Sequence, residues 1–245
     1  MNILVVNDDG IRADGIICLS EMAKEFGQVW VVAPAQQCSA MSHRITIKRK
    51  LKVVKEEFPV EGVHAYSVDG TPADCVKAGI HLIMPEKPDI VFSGINHGYN
   101  AGCDIVYSGT VGAAMDALQH DIPSIAYSTS MGAGSFDMKH VDFSVAKRFF
   151  SLITRGIFEQ GLDTDGIWNV NFPGCSLDQV QGILWNRIPA KKEFYFDHFA
   201  KEVIDQDSFY MEMINIEECE DAEDGTDIHA LIHNCISVGR VKNLI

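Results

Sequence analysis

The first two thirds of the chain alternate between short apolar runs and longer stretches whose apolar positions recur every three or four residues. Residues 2–7, NILVVN, are apolar at the successive positions 3–6, so a strand there has hydrophobic side chains on both faces and must be covered from both sides. In 15–26, Ile16, Leu19, Met22, Ala23 and Phe26 share one helical face. The alternation continues with strands at 29–33, 89–92, 124–127 and 167–171 and helices at 71–83, 109–119 and 141–157. The helix at 71–83 opens Thr71-Pro72-Ala73-Asp74, a capping hydroxyl followed by proline at the first helical position. A polar loop at 35–44 precedes a β-rich stretch, 45–54 and 63–68. This pattern predicts an α/β protein with a mostly parallel sheet and helices on both faces. Beyond Pro173 the pattern becomes β-rich and irregular. Hairpins or arms are expected over 174–213, and a short helix followed by a tail over 224–245. The expected organisation is an α/β core at 1–173 and a β-rich extension at 174–245 that packs on the core or on a partner subunit.

In a sheet of this kind, ligands gather outside the carboxyl ends of the strands. Three loops there hold unusual residues: Asp8 and Asp9, the stretch 34–44, and the stretch 93–108. Adjacent side chains on a strand point to opposite faces, so Asp8 and Asp9 converge only if the chain leaves the strand at that point. Gly10 permits such an exit. An isolated Asp-Asp-Gly also fits an ordinary surface turn, so the neighbouring loops decide its meaning.

Composition narrows the class. The chain has 245 residues, 47% of them hydrophobic, enough for a full core. A formal net charge of −14 argues against binding to duplex nucleic acid or to an anionic membrane, while leaving room for a small anionic ligand. The seven cysteines form no C-x-x-C pair and no zinc spacing, which suggests reduced thiols. The first strand begins at once, without a basic leader, and no apolar run is long enough for a bilayer. A cytoplasmic protein is expected.

The third loop reads PDIVFSGINHGYNAGCDIVYSGTVGAAMDA, Pro88 to Ala117. Together with NILVVNDDGI and DGTPADCVKAGI, in this order and spacing, it resembles the survival protein E (SurE) family of metal-dependent nucleotidases, and WNVNFP at 168–173 continues the resemblance. The resemblance implies a Rossmann-like fold and a divalent metal held by Asp8, Asp9, Ser39 and Asn96. It also implies a nucleoside monophosphate substrate and a homodimer or homotetramer built through C-terminal arms. Such a ligand set is all oxygen and half neutral, which favours Mg²⁺ or Mn²⁺ over zinc. An ion of this kind suits hydrolysis of a phosphomonoester. On this reading Asp8, Asp9, Asn96 and Ser108 are the catalytic residues. Ser108-Gly109-Thr110 opens a helix, where free N–H groups and the helix dipole suit a phosphate, and Gly109 and Thr110 are candidate substrate contacts. Ordinary N-capping explains Ser108 and Thr110 as well.

Other roles stay open at this level. Asn100 and Asp104 either shape their loop or touch substrate. His43 and His97 suit surface or supporting positions, with proton transfer as the sharper alternative. The basic stretch HRITIKRKLKVVK, 43–55, fits an edge strand with solvated lysines, with steering of an anionic substrate as the alternative. The acidic stretch 217–227 fits a solvated loop, with Thr226 and Asp227 capping the next helix. The second loop departs from the family pattern Asp-Arg-Asn-Arg-Ser-Gly, having Ala35-Gln36-Gln37-Cys38-Ser39-Ala40. This departure motivates an alternative function: a nucleotide-binding or regulatory module with a degenerate site. An aspartyl-phosphate mechanism is disfavoured because its two aspartates stand one residue apart, whereas these are adjacent.

Overall fold

The computed structural model describes residues 1–131 and 141–242. The last three positions of the expected tail lie outside the described residues. The strands and helices are β1 (Asn2–Val6), α1 (Asp14–Ala23), β2 (Gln28–Pro34), β3 (Val53–Glu56), β4 (His64–Val68), α2 (Pro72–Ala78), β5 (Ile90–His97), α3 (Gly109–Leu118), β6 (Ser124–Thr129), α4 (Ser144–Gln160), β7 (Gly166–Phe172), β8 (Gly182–Arg187), β9 (Tyr195–Val203), β10 (Phe209–Glu218), α5 (Asp227–Ile232) and β11 (Cys235–Lys242).

Nine strands form one sheet in the order β3-β4-β2-β1-β5-β6-β7-β11-β8. From β4 to β7 every pairing is parallel. The chain winds one way from β1 through β2 to β4, then crosses back and winds the other way through β5, β6 and β7. The reversal falls between β1 and β5, where the loops after these strands splay apart and leave a crevice. Alternation along β1 assigns the layers. Ile3 and Val5 pack with Ile16 and Leu19 of α1 and Phe150 and Ile153 of α4, while Leu4 and Val6 pack with Val76 of α2 and Ala113 and Ala117 of α3. Sandwiched from both sides, β1 is apolar at each of these positions, as its sequence requires. The capping box at Thr71 forms as expected: the Thr71 hydroxyl accepts from the Asp74 N–H and the Asp74 carboxylate accepts from the Thr71 N–H.

The structure corrects three expectations. Of the stretch 45–54, only its end joins the sheet, as the edge strand β3. The preceding residues satisfy their polar groups locally: the Thr71 hydroxyl donates to Arg44 O at 2.5 Å and the Thr46 N–H donates to Asp74 at 2.9 Å. At the other end, the expected tail carries β11, which is inserted antiparallel beside β7 and parallel to β8. Cys235, Ile236, Ser237 and Val238 are buried there. The irregular stretch 174–213 likewise supplies β8 to the main sheet, and only β9 and β10 leave it, as a separate antiparallel hairpin. Residues on both sides of position 173 therefore share one sheet.

Candidate active site

The crevice between β1 and β5 receives three loops. After Val6 the chain turns sharply. Asn7, fully buried, donates through Nδ2 to Gly10 O at 2.9 Å and accepts from the Gly10 N–H at 3.2 Å, closing the turn from inside. Gly10 has φ +100°, a conformation that favours glycine. This turn carries Asp8 and Asp9 out of the strand alternation, and both reach the same crevice.

Asp8 is 4% exposed and packs against the start of α3. The Thr110 hydroxyl donates to Asp8 Oδ1 at 2.6 Å, across 102 residues of sequence. Gly109 makes this approach possible, because a Cβ there would stand 2.9 Å from Asp8 Cβ and 3.2 Å from Pro72 Cγ. Ser108 caps α3 by accepting from the Val111 N–H at 3.0 Å. Asp9 accepts from the His97 N–H at 3.2 Å and from the Gln37 side chain. Gln37 Nε2 also donates to Ser39 Oγ at 3.0 Å. One amide therefore ties the second loop to the first. Asn96 precedes His97 on β5, beyond an irregularity in the β5–β6 register, and its Nδ2 donates to Gly98 O at 2.8 Å. Asp8, Asp9, Ser39, Asn96 and the start of α3 are thus linked through neighbouring hydrogen bonds.

The electrostatics suit a cation. Burial, then the charge of Asp9, pushes the Asp8 carboxyl up to about 7, and burial raises Asp9 as well. No Lys or Arg pairs with either aspartate among the described residues. Two adjacent carboxylates without such a partner are donors of the kind a hard divalent ion takes, and Ser39, tied to Asp9 through Gln37, and Asn96, next to His97, carry the neutral oxygens that could join them. Among the described residues no group of three or more His, Cys, Asp or Glu is placed to hold a metal. This set contains only two such residues.

Asn100 is held in a network of asparagine and serine side chains. It is 5% exposed, with Nδ2 donating to Ser128 Oγ at 2.8 Å, its N–H donating to Asn171 Oδ1 at 2.9 Å and its carbonyl accepting from Asn169 and Asn171. Of the two roles left open for it, the loop-shaping one matches this geometry. Asp104 does the same by accepting from the Phe194 and Tyr195 N–H groups. The His97 ring reaches Met131 O at 3.3 Å, and burial pulls its basicity down. His43 points away from the aspartates, to Asp116 at 3.0 Å.

Asn7, Gln37 and the Asn169–Asn171 pair emerge only from the structure. Asn7 alone had a visible signal, an amide three residues before the turn glycine. Asp227, expected at a helix cap, also accepts from Gly102 N–H at 2.9 Å and Ala190 N–H at 2.9 Å, anchoring the third loop to the C-terminal segment. Thr226 is the cap, accepting from the His229 N–H.

Residues 3–194 match the family described as survival protein SurE. The 5′-nucleotidase SurE of Thermosipho africanus is 37% identical over 97% of this chain and 90% of that protein. The 5′-nucleotidase SurE of Heliobacterium modesticaldum is 37% identical over 97% of this chain and 85% of its own. The crystal structure of the SurE protein from Aquifex aeolicus superposes with a TM-score of 0.81 at 35% identity, covering 100% of this chain and 95% of that one. With the α/β sheet, the paired aspartates at its switch point and these full-length similarities together, the chain belongs to the SurE family of survival proteins.

Proposed function

We propose that the protein is a metal-dependent 5′-nucleotidase: it hydrolyses nucleoside 5′-monophosphates, and 3′-monophosphates as a further substrate class, by attack of water on phosphorus. The observation that carries this reading is the pair Asp8–Asp9, the first buried and set against the first turn of α3, the second half-buried, with no Lys or Arg paired to either among the described residues. The shared name of its relatives, 5′-nucleotidase SurE, supports the same reaction. Asp8, Asp9, Ser39 and Asn96 would hold one Mg²⁺ or Mn²⁺, which when bound neutralises phosphoryl charge and makes water more acidic.

The chain's own groups have separate tasks. The N–H groups of Gly109 and Thr110, at the positive end of α3, bind phosphate oxygens. Ser108 Oγ accepts from Val111 and retains its own proton to donate to a phosphate oxygen. Thr110 holds the Asp8 carboxylate in one orientation, and the His97 N–H and Gln37 hold that of Asp9. Asn100 keeps the third loop in shape from below.

Location and assembly follow from the same reading. No helix among the described residues is long and apolar enough to cross a membrane, and all seven cysteines are free thiols, which supports a cytoplasmic protein. An isolated two-stranded hairpin is marginal in water, yet β9–β10 exposes Phe199, Val203, Phe209, Tyr210, Met211 and Ile214. We therefore assign the hairpin to a subunit interface in a homodimer or homotetramer. Light scattering on the intact chain and on a variant with charged residues at Phe199 and Met211 tests this: an unchanged mass would remove the hairpin from the interface.

The deciding experiment measures phosphate released from 5′- and 3′-nucleoside monophosphates, first with chelator and then with Mg²⁺ or Mn²⁺ restored. Turnover that returns with metal is expected. Folded protein that binds nucleotides without releasing phosphate would replace the enzyme by a binding module, with 35–40 as the altered loop responsible.

A further inference from the structure

The densest positive charge in this acidic chain, Arg44, Lys48, Arg49, Lys50, Lys52 and Lys55, has no part in the site above. Residues 44–49 form one wall of an open cavity of about 820 Å³ at the carboxyl ends of β2 and β4. That volume lies within the range of small-molecule sites. The cavity adjoins the aspartates. Gln37 and Cys38 line it, and these same residues meet the site, Gln37 through Ser39 Oγ at 3.0 Å and the Cys38 N–H through Asp8 O at 2.7 Å. Thr71, also on the cavity, leads into Pro72 beside Gly109.

The wall is apolar as well as basic. Ile47 is 81% exposed and Ile45 42%, both on the cavity, so among the described residues these hydrophobic side chains are left largely uncovered. Arg49 is paired with Asp69 at 2.8 Å, whereas Arg44 and Lys48 have no carboxylate partner among the described residues. The polar contact of the Arg44 guanidinium is Met41 Sδ at 3.8 Å. An apolar surface beside an uncommitted guanidinium suits a flat aromatic ring, which can lie on the first and stack on the second.

We propose that this cavity receives the nucleoside half of the substrate, with its base against Ile45 and Ile47 and with Arg44 as a substrate-binding residue stacked on it. The inference rests on the phosphatase reading for the position of the phosphate at α3, and it makes the enzyme selective for nucleotides over sugar phosphates. Lys48 adds local positive charge that draws anionic ligands to the cavity mouth.

The test separates the cavity from the chemistry. In chelator, adenosine and ribose are titrated into the full chain by ligand-observed NMR, so neither phosphate nor metal enters. Adenosine is expected to bind at least tenfold more tightly than ribose, and Arg44→Ala and Ile47→Glu are each expected to weaken it about tenfold, the usual scale for one base contact. With metal, the ratio of kcat/KM for adenosine 5′-monophosphate over that for ribose 5-phosphate should fall about tenfold in the same variants. Equal binding of adenosine and ribose by the wild-type chain, or retention of adenosine by both variants, would overturn the proposal. Failure of the wild-type enzyme to release phosphate from either ester would overturn the phosphatase reading alone, since adenosine binding still decides the cavity.

Discussion

Asp8→Asn should abolish turnover and at the same time stabilise the metal-free protein. Ionised Asp8 is penalised in the folded state by burial and then by Asp9, which outweigh the hydrogen bonds it accepts and raise it from 3.8 to about 7. At about 1.4 kcal/mol for each factor of ten in proton affinity, this penalty is about 4 kcal/mol at pH 8. That value already contains the opposing charge-assisted hydrogen bond from the Thr110 hydroxyl, so nothing further is subtracted for it. A gain of about 4 kcal/mol is expected, or roughly 8–16 °C in melting temperature for a chain of this size. The direction with pH follows from proton counts. Between the unfolded value near 4 and the folded value near 7, the folded wild type holds more protons than the unfolded chain, so its stability falls as pH rises through this window. Below pH 4 the carboxyl is protonated in both states and the difference between variant and wild type shrinks. Thermal unfolding in chelator at pH 4 and pH 8 measures this, and added Mg²⁺ or Mn²⁺ should then raise the wild-type transition more than that of the variant. A variant that melts no higher than wild type at pH 8, or by the same margin at both pH values, would refute the picture of an uncompensated buried carboxylate.

Gly109→Ala places a methyl 2.9 Å from Asp8 Cβ, so phosphate release should drop tenfold or more while circular dichroism is unchanged. His43→Ala removes the contact at 3.0 Å to Asp116, which also holds Lys77 at 3.0 Å, and so frees the loop that carries Ser39. A several-fold weaker metal titration is expected, partly restored by His43→Gln, whose amide can still donate. Asp227→Ala leaves the N–H groups of Gly102, Ala190 and Ile228 without their acceptor and should cost about 3 kcal/mol or more by urea unfolding. An unchanged urea midpoint would show that these contacts do not hold the third loop to the C-terminal segment.

The parts of the site written in short stretches were legible in advance. Asp8-Asp9-Gly10 announced a turn, and Ser108-Gly109-Thr110 and Thr71-Pro72 announced helix starts; each forms as expected. Asn100 was ambiguous because its four hydrogen-bond partners come from residues 128, 169 and 171, and no local pattern indicates such partners. Gln37 looked like a loss from the family pattern, whereas in the structure it joins Asp9 to Ser39.

The sequence alone settles what depends on neighbours within a turn or two: periodicity, caps, glycine turns, and strands that must be buried on both faces. These amount to the α/β class and to most of the elements as far as β7. Tertiary structure decides the rest, because strand order and loop contacts are choices between distant segments. Whether 45–49 extends a sheet or lines a cavity depended on Thr71 and Asp74 being within reach. Whether 235–242 trails or enters the sheet depended on the open edge of β7. The crevice itself exists because β5 returns to lie beside β1, and a chain crossing of that kind leaves no mark in the spacing of hydrophobic residues.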